Sequence, residues 1–368
     1  MLFPILILLV AIHVMRKCAS SFDIAASYLT RGLGEGIKGP TINAIASSLP
    51  ELLISSIFLF YFKDIKGFSA GYATIIGSSA FNIALIPVIS FVYLYITKGK
   101  EKVFQINKTI VKQDAFFLLG SIFILSLGFF IGVNFYLASL LILFYFIYIF
   151  YVLKIRVGKR DDGAIFYKKF IKNHNLKLSD KIIHVEAGSF LSSLFNFKLF
   201  RIFFQGKVDN FTSTLVVLIS VCIIGGSCYF LVHATENISN ILGVNLFFGA
   251  FIIAAIASSI PDTIFSVQDA KNNKFIDSFS NAYGSNIFDI CIGIGLPVLA
   301  YSAIYGPINM NMPIERIGWI GDYVLGGNLF MWSLLILFFF TALVSLVYYK
   351  IKLNLHTAFL IFFLCRIC

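Results

Sequence analysis

Glu51, Asp262 and Asp289 are carboxylates set inside apolar runs long enough to cross a bilayer. An ionised acid at the centre of such a helix costs about 2.5–3.5 kcal/mol on insertion scales. Oxygen-bearing neighbours accompany them. Ser47 and Ser48 lie within one helical turn of Glu51, and Ser258 and Ser259 stand in the same relation to Asp262. Pro50 and Pro261 immediately precede the two acids. Proline removes its own donor and obstructs the carbonyl four residues earlier, so the carbonyl of Ala46 becomes available in mid-span. Hydroxyl, carbonyl and carboxylate oxygens on neighbouring faces make a hard-oxygen donor set, suited to Ca²⁺ and Na⁺. No lysine or arginine lies in these runs to pair with the acids. They are therefore protonated when empty or neutralised by a bound cation.

The arrangement occurs twice. Ala44-Ile45-Ala46-Ser47-Ser48-Leu49-Pro50-Glu51 is echoed by Ala255-Ile256-Ala257-Ser258-Ser259-Ile260-Pro261-Asp262. Downstream, Ile76-Gly77-Ser78-Ser79-Ala80-Phe81-Asn82-Ile83 is echoed by Tyr283-Gly284-Ser285-Asn286-Ile287-Phe288-Asp289-Ile290. Gly77 and Gly284 allow close helix approach, Ser78 and Ser285 offer hydroxyls, and Asn82 and Asp289 follow four residues later on the same face. The copies differ where charge is concerned: Asn82 is neutral and Asp289 is acidic. Serine, glycine and proline in an apolar helix each have a packing explanation when taken singly. Three acids, matched prolines and a duplicated spacing together point to an ion site at a repeat interface.

The elements that must position these residues are membrane helices. The chain has 368 residues, 59% hydrophobic and only 13% charged, with a mean hydropathy of +0.89. Too few charges are present to solvate a soluble domain of this length. Hydropathy predicts an all-α polytopic protein of about ten spans, at roughly 2–25, 39–62, 68–97, 113–132, 135–155, 212–235, 243–268, 275–303, 328–349 and 353–368. Arg16 and Lys17 follow the first apolar run rather than precede it, so an uncleaved helix is expected there and not a signal peptide. Five spans per half is an odd number, so the duplication must be inverted. The expected division is a first five-helix repeat over 1–157, a basic cytosolic loop over 158–211 and a second repeat over 212–368.

Basic residues assign the faces. One set of loops holds Arg16, Lys17, Arg31, Lys38, Lys98, Lys100, Lys102, Lys108, Lys112, the central segment, Lys271, Lys274, Lys350 and Lys352, while the other holds Lys63, Lys66, Arg316 and Arg366. By the positive-inside rule both termini are expected outside, in a plasma or inner membrane. The net charge of +11 thus belongs to the inner face, with the lipid bilayer as partner and no nucleic acid. The central segment reads as a solvated linker carrying one amphipathic helix on the membrane surface. Only Cys365 and Cys368 have metal-like spacing, and the five histidines do not cluster, so neither zinc nor redox chemistry is expected and no cofactor is called for. Oligomeric state is not legible.

The elements Ser-Ser-Leu-Pro-Glu-Leu, Ser-Ser-Ile-Pro-Asp-Thr, Gly-Ser-Ser-Ala-Phe-Asn-Ile and Gly-Ser-Asn-Ile-Phe-Asp-Ile resemble the alpha repeats of the calcium/cation antiporter superfamily, with the sodium/calcium exchangers as the nearest match. The resemblance implies exchange of Ca²⁺ for Na⁺ by alternating access. It implies Glu51 and Asp262 as central calcium-ligating acids, and Ser47, Ser48, Ser78, Ser258, Ser259 and Ser285 as hydroxyl ligands. Ala44 and Ala255 would serve through their carbonyls, with Asn82 and Asp289 as flanking polar positions. The usual Gly-Thr-Ser before Leu-Pro-Glu is Ala46-Ser47-Ser48 here. Aspartate at the position of Asp289 is linked in the family to potassium, so K⁺ dependence stays open, as does H⁺ as the coupling ion. An enzyme is not expected. Asp262 and Asp289 on adjacent spans are the one feature shared with intramembrane aspartyl proteases, whose Gly-x-Gly-Asp and Tyr-Asp elements are missing.

Overall fold

Long apolar runs in lipid leave the backbone to satisfy its own N–H and C=O groups, which a helix does within one segment. The computed structural model describes residues 2–31, 40–41, 44–98, 107–155, 170–171, 176–179, 182–185, 189–272, 274–308, 328–350 and 361. The first half folds as α1 (Leu2–Leu29), α2 (Ala44–Ser47), α3 (Leu49–Phe62), α4 (Asp64–Lys98), α5 (Lys108–Ser126), α6 (Gly128–Ile131) and α7 (Phe135–Ile155). A central segment follows with β1 (Leu176–Ser179), β2 (Ile182–Val185), α8 (Phe190–Phe195), α9 (Leu199–Phe204) and β3 (Lys207–Val208). The second half comprises α10 (Asn210–Leu242), α11 (Leu246–Gly249), a π-helical turn at Ala250–Ala254, α12 (Ala255–Lys271), α13 (Phe275–Phe288), a second π-helical turn at Asp289–Ile294, α14 (Gly295–Tyr305) and α15 (Asn328–Lys350).

Among the described residues, eight helices are long and apolar enough to cross a membrane. The α2–α3 pair covers the expected second span. Helix α3 alone has 14 residues, about 21 Å against a hydrocarbon core of about 30 Å. The tenth expected span, 353–368, lies outside the described residues except for Ile361. The first half makes five crossings, and among the described residues of the central segment, between α7 and α10, no apolar helix is long enough to cross. Helix α10 therefore starts from the face that α7 reached, opposite to the start of α1. The architecture is an inverted repeat, with five crossings described in the first half and four in the second.

Local chemistry sets the helix ends. Asp209 caps α10 in a capping box: its carboxylate accepts from Thr212 N at 2.8 Å, and Asp209 N donates to Thr212 Oγ1 at 3.0 Å. Asn107 accepts from Thr109 N at 3.0 Å at the start of α5. The α3–α4 reversal is almost loopless. Lys63 and Asp64 take φ of 57° and 42°, a left-handed conformation that costs energy without glycine. Tyr301 Oη holds the turn from α14, accepting from Asp64 N at 3.0 Å and donating to Asp64 Oδ1 at 2.8 Å.

Helix α4 runs through the centre, with 72% of its most apolar window buried, whereas α1 has 28% and forms a flank with α10, against which it packs along its length. The central segment differs from the expected solvated linker. Its strands form an antiparallel sheet in the order β1-β2-β3, with Leu176 opposite Val185 and Ile183 opposite Val208. Leu199 and Phe200 are buried. Ser21 Oγ of α1 donates to Phe197 O at 2.6 Å and accepts from Leu199 N at 3.2 Å. Apolar residues spaced through a basic stretch had little helical or strand periodicity to announce this. Their partners lie on α1, far away in sequence.

Candidate cation site

The two repeats meet where glycine lets backbones touch. A Cβ on Gly77 of α4 would collide with the carbonyl of Phe251, in the π-helical turn of the other half. The matched Gly284 of α13 lies against Pro40, where a Cβ would come within 2.7 Å of the proline Cα. These mirror-related approaches draw α4 onto α12 and α13 onto α2. Every sequence-predicted site residue then falls in one buried region. Ala44, Ser47, Ser48, Glu51, Ser78, Asn82, Ala255, Ser258, Ser259, Asp262, Ser285 and Asp289 are each at most 1% exposed.

One carboxylate oxygen from each of Glu51, Asp262 and Asp289 lies within 4.8 Å of the other two. Hydroxyls knit the copies together with approximate symmetry. Ser78 Oγ donates to Glu51 Oε1 at 3.2 Å, and its mate Ser285 Oγ donates to Asp262 Oδ1 at 2.7 Å. Across the repeats, Ser78 Oγ meets Ser259 Oγ at 2.8 Å and Ser285 Oγ meets Ser47 Oγ at 3.3 Å. Ser47 and Ser258 also donate back to the carbonyls of Ala44 at 3.4 Å and Ala255 at 3.1 Å, so these carbonyls face the network through serine. The Ser258 hydroxyl borders Glu51, and that of Ser48 borders Asp289.

Symmetry fails at one pair. Asn82 Nδ2 donates to Asp262 Oδ2 across the repeats at 2.8 Å. Its mate is Asp289, which when ionised has no hydrogen to offer Glu51 in return. Glu51 Oε2, both oxygens of Asp289, Asn82 Oδ1 and Ser48 Oγ accordingly have no hydrogen-bond partner. Buried acceptors left unpaired cost about 1–3 kcal/mol each, more when charged. Like charges about 5 Å apart repel by on the order of 3 kcal/mol at an effective dielectric of 20. A cation among these oxygens removes both penalties at once, which is the chemistry this donor set supports.

The prolines act differently in the two halves. The helix breaks at Ser48, and Pro50 sits in the first turn of α3, where its missing N–H is tolerated. Ser48 N still reaches Ala44 O at 2.9 Å. Pro261 instead lies inside a continuous α12, and a π-helical turn lies upstream at Ala250–Ala254, where the matched Pro40 and Thr41 of the first half are π-helical as well. A further π-helical turn begins at Asp289, a feature often found at functional sites. Sequence reading missed these turns because a one-residue insertion in a wholly apolar helix leaves no break in periodicity. It also passed over Asn286, which donates to Ser79 O at 2.8 Å and keeps Oδ1 unpaired, although it adjoins Ser285 in the repeated motif. Asp114 was overlooked as a fourth acid inside a span. It is buried on α5, accepting from Ser280 Oγ at 2.8 Å and Tyr148 Oη at 3.4 Å.

The sequence profile of the family described as sodium/calcium exchanger protein matches residues 3–154 and 212–366. Human sodium/potassium/calcium exchanger 1 is 31% identical over 135 residues, which are 37% of this chain and 12% of that protein. The Drosophila melanogaster sodium/potassium/calcium exchanger Nckx30C is 43% identical over 58 residues, 16% of this chain and 7% of that protein. The chain thus aligns with only about an eighth or less of the length of these curated relatives. Among solved structures, the sodium-calcium exchanger NCX_Mj superposes with a TM-score of 0.59 at 16% identity, covering 99% of this chain and 97% of the other. The H+/Ca2+ exchanger CAX gives 0.56 at 14% identity, covering 99% and 87%. At such identities the likeness establishes the fold.

Proposed function

Because the chain belongs to the sodium/calcium exchanger protein family, we propose that it is a multi-pass antiporter exchanging Ca²⁺ for Na⁺ by alternating access. The observation that carries this reading is the buried trio Glu51, Asp262 and Asp289, one oxygen of each within 4.8 Å of the other two, and rich in unpaired oxygens. Twelve residues would form the site: carboxylates of Glu51, Asp262 and Asp289; hydroxyls of Ser47, Ser48, Ser78, Ser258, Ser259 and Ser285; the Asn82 amide oxygen; and the carbonyls of Ala44 and Ala255. Ca²⁺ and Na⁺ compete for the same oxygens, so one cargo at a time is neutralised and carried. The first two helices of each half are the gate in this mechanism and rock across the others, with α1 and α10 packed along their length and bordering α12 and α3. A ligand shifts the conformational balance only by its differential affinity for the two states. The basic loops support a plasma or inner membrane location with both termini outside.

Flux into proteoliposomes under Na⁺, K⁺ and pH gradients imposed one at a time tests the proposal. Calcium uptake driven by a sodium gradient alone is the expected result, and uptake only with a pH gradient would replace Na⁺ with H⁺. Glu51→Gln is expected to reduce sodium-driven uptake to background. Full retention would move the site elsewhere. A second reading, in which K⁺ travels with Ca²⁺, is favoured by one observation: Asp289 keeps both oxygens unpaired beside the Asn82–Asp262 pair.

A further inference from the structure

Among the described residues, polar side chains continue away from the buried trio along the seam of α12 and α13. On α12, Asp262, Ser266 and Asp269 recur on one helical face, and all three are buried. On α13, Asp277 in the first turn and Asn281 one turn later are buried as well. Asn281 spans the seam, its Nδ2 donating to Ser266 Oγ at 3.0 Å and to Asp262 O at 3.4 Å. Its Oδ1, on the same amide in that seam, has no hydrogen-bond partner, and neither does the buried Ser278 Oγ. The seam ends at the turn between α12 and α13, where Lys274 N donates to Asp269 O at 2.9 Å and Lys271 is exposed beyond the acids. By the crossing order of the helices, this turn lies on the face that carries the central segment.

Repeat symmetry does not require this lining. With Glu51 matched to Asp262 and Ser78 to Ser285, the counterparts of Asp269 and Asp277 are Phe58 and Ala70, both buried and apolar, and that of Asn281 is Thr74, whose hydroxyl donates to Ala70 O at 3.0 Å. Ser55, the mate of Ser266, spends its hydroxyl on Gly293 O at 2.6 Å in the other half. The α3–α4 seam is thus apolar at the places matched to Asp269 and Asp277, so the repeat architecture by itself does not call for the two acids. Buried polar positions inside a membrane domain mark ion routes.

We propose that the α12–α13 seam is the passage by which partly hydrated Na⁺ and Ca²⁺ move between the site and the face bearing the central segment, with Asp269 and Asp277 holding a cation at its mouth. The inference rests on reading the buried trio as a cation site. Single variants Ser266→Cys and Asn281→Cys of the full chain, in proteoliposomes, are exposed from each face to a membrane-impermeant cationic thiol reagent. Mass gain is counted against the parent chain treated alike. Both are expected to react from the central-segment face and not from the other, more slowly when Ca²⁺ is present. No reaction from that face, or equal reaction from both, overturns the passage. Labelling needs no turnover, so a chain that is labelled and cation-protected but fails to exchange Ca²⁺ would lose the antiport proposal and keep the passage. Asp269→Asn and Asp277→Asn give a second readout, because an acid-lined cleft raises local cation concentration. The Ca²⁺ concentration for half-maximal exchange should rise about tenfold from the central-segment face and stay unchanged from the other. An equal rise from both faces would assign the acids to structure and overturn their role.

Discussion

Asn82 and Asp289 occupy matched positions, and the difference of one amide between them decides the charge of the site. Asn82 satisfies Asp262 at 2.8 Å, while Asp289 leaves its own oxygens and Glu51 Oε2 unpaired. Asp289→Asn would place a donor opposite Glu51 and restore the symmetry. Apparent Ca²⁺ affinity is expected to fall about tenfold, the equivalent of about 1.4 kcal/mol, with any K⁺ stimulation of exchange abolished. Isotopic flux with and without K⁺ checks both parts, and undiminished K⁺ stimulation would remove Asp289 from that role. The acids and serines were legible in the chain because apolar surroundings make each of them conspicuous. Their pairing was not: Ser78 sits between Glu51 and Ser259, one partner near in sequence and one far, and only folding brings the second within reach.

Glycine at position 77 matters at the scale of elements, since α4 approaches the Ala250–Ala254 turn through it. Gly77→Ala forces a methyl into a backbone carbonyl and is expected to destabilise the fold by about 1–3 kcal/mol, read as a lower midpoint in thermal unfolding in detergent. An unchanged midpoint would mean that the helices can part without cost. Helix α10 offers a pH-dependent prediction at its start. Lys207, 2.7 Å from Asp209, holds that carboxyl below its usual range through a charge-assisted hydrogen bond. A depressed value in the folded state means that the cap contributes fully above the ordinary carboxylate pKa and is lost as pH falls through the depressed one. Protection of the Thr212 amide, its exchange rate taken relative to the intrinsic rate at each pH, should therefore fall on acidification, whereas Asp209→Ala, which costs about 1 kcal/mol, should show low protection at every pH. The membrane-spanning helices among the described residues were legible from apolar runs of spanning length. The break at Ser48, the uninterrupted passage of α12 through Pro261 and the π-helical turns at Ala250–Ala254 and Asp289–Ile294 were not, because each is set by what packs against the helix and not by its own residues.

Across the whole molecule, a site shared between halves makes bound cation a clamp on the entire fold. Ligand at a hundred times its dissociation constant stabilises by about 2.7 kcal/mol. Ca²⁺ is expected to raise the unfolding midpoint of the parent chain and to leave Glu51→Gln unmoved, as followed by intrinsic fluorescence in detergent. Equal shifts in both would place the stabilising ion outside the trio. The sequence by itself determined that the chain is an inverted helical repeat carrying acids at matched places, because bilayer hydropathy, loop charge and duplication are all written locally in residue order. It could not say that α12 and α13 extend those acids toward one face while α3 and α4 bury Phe58 and Ala70 instead. Nor could it say that the central segment docks on α1 through Ser21. Those outcomes depend on which faces of distant helices meet, and the tertiary structure decides them through backbone approaches that glycine alone permits and buried polar groups that must find partners across the repeats.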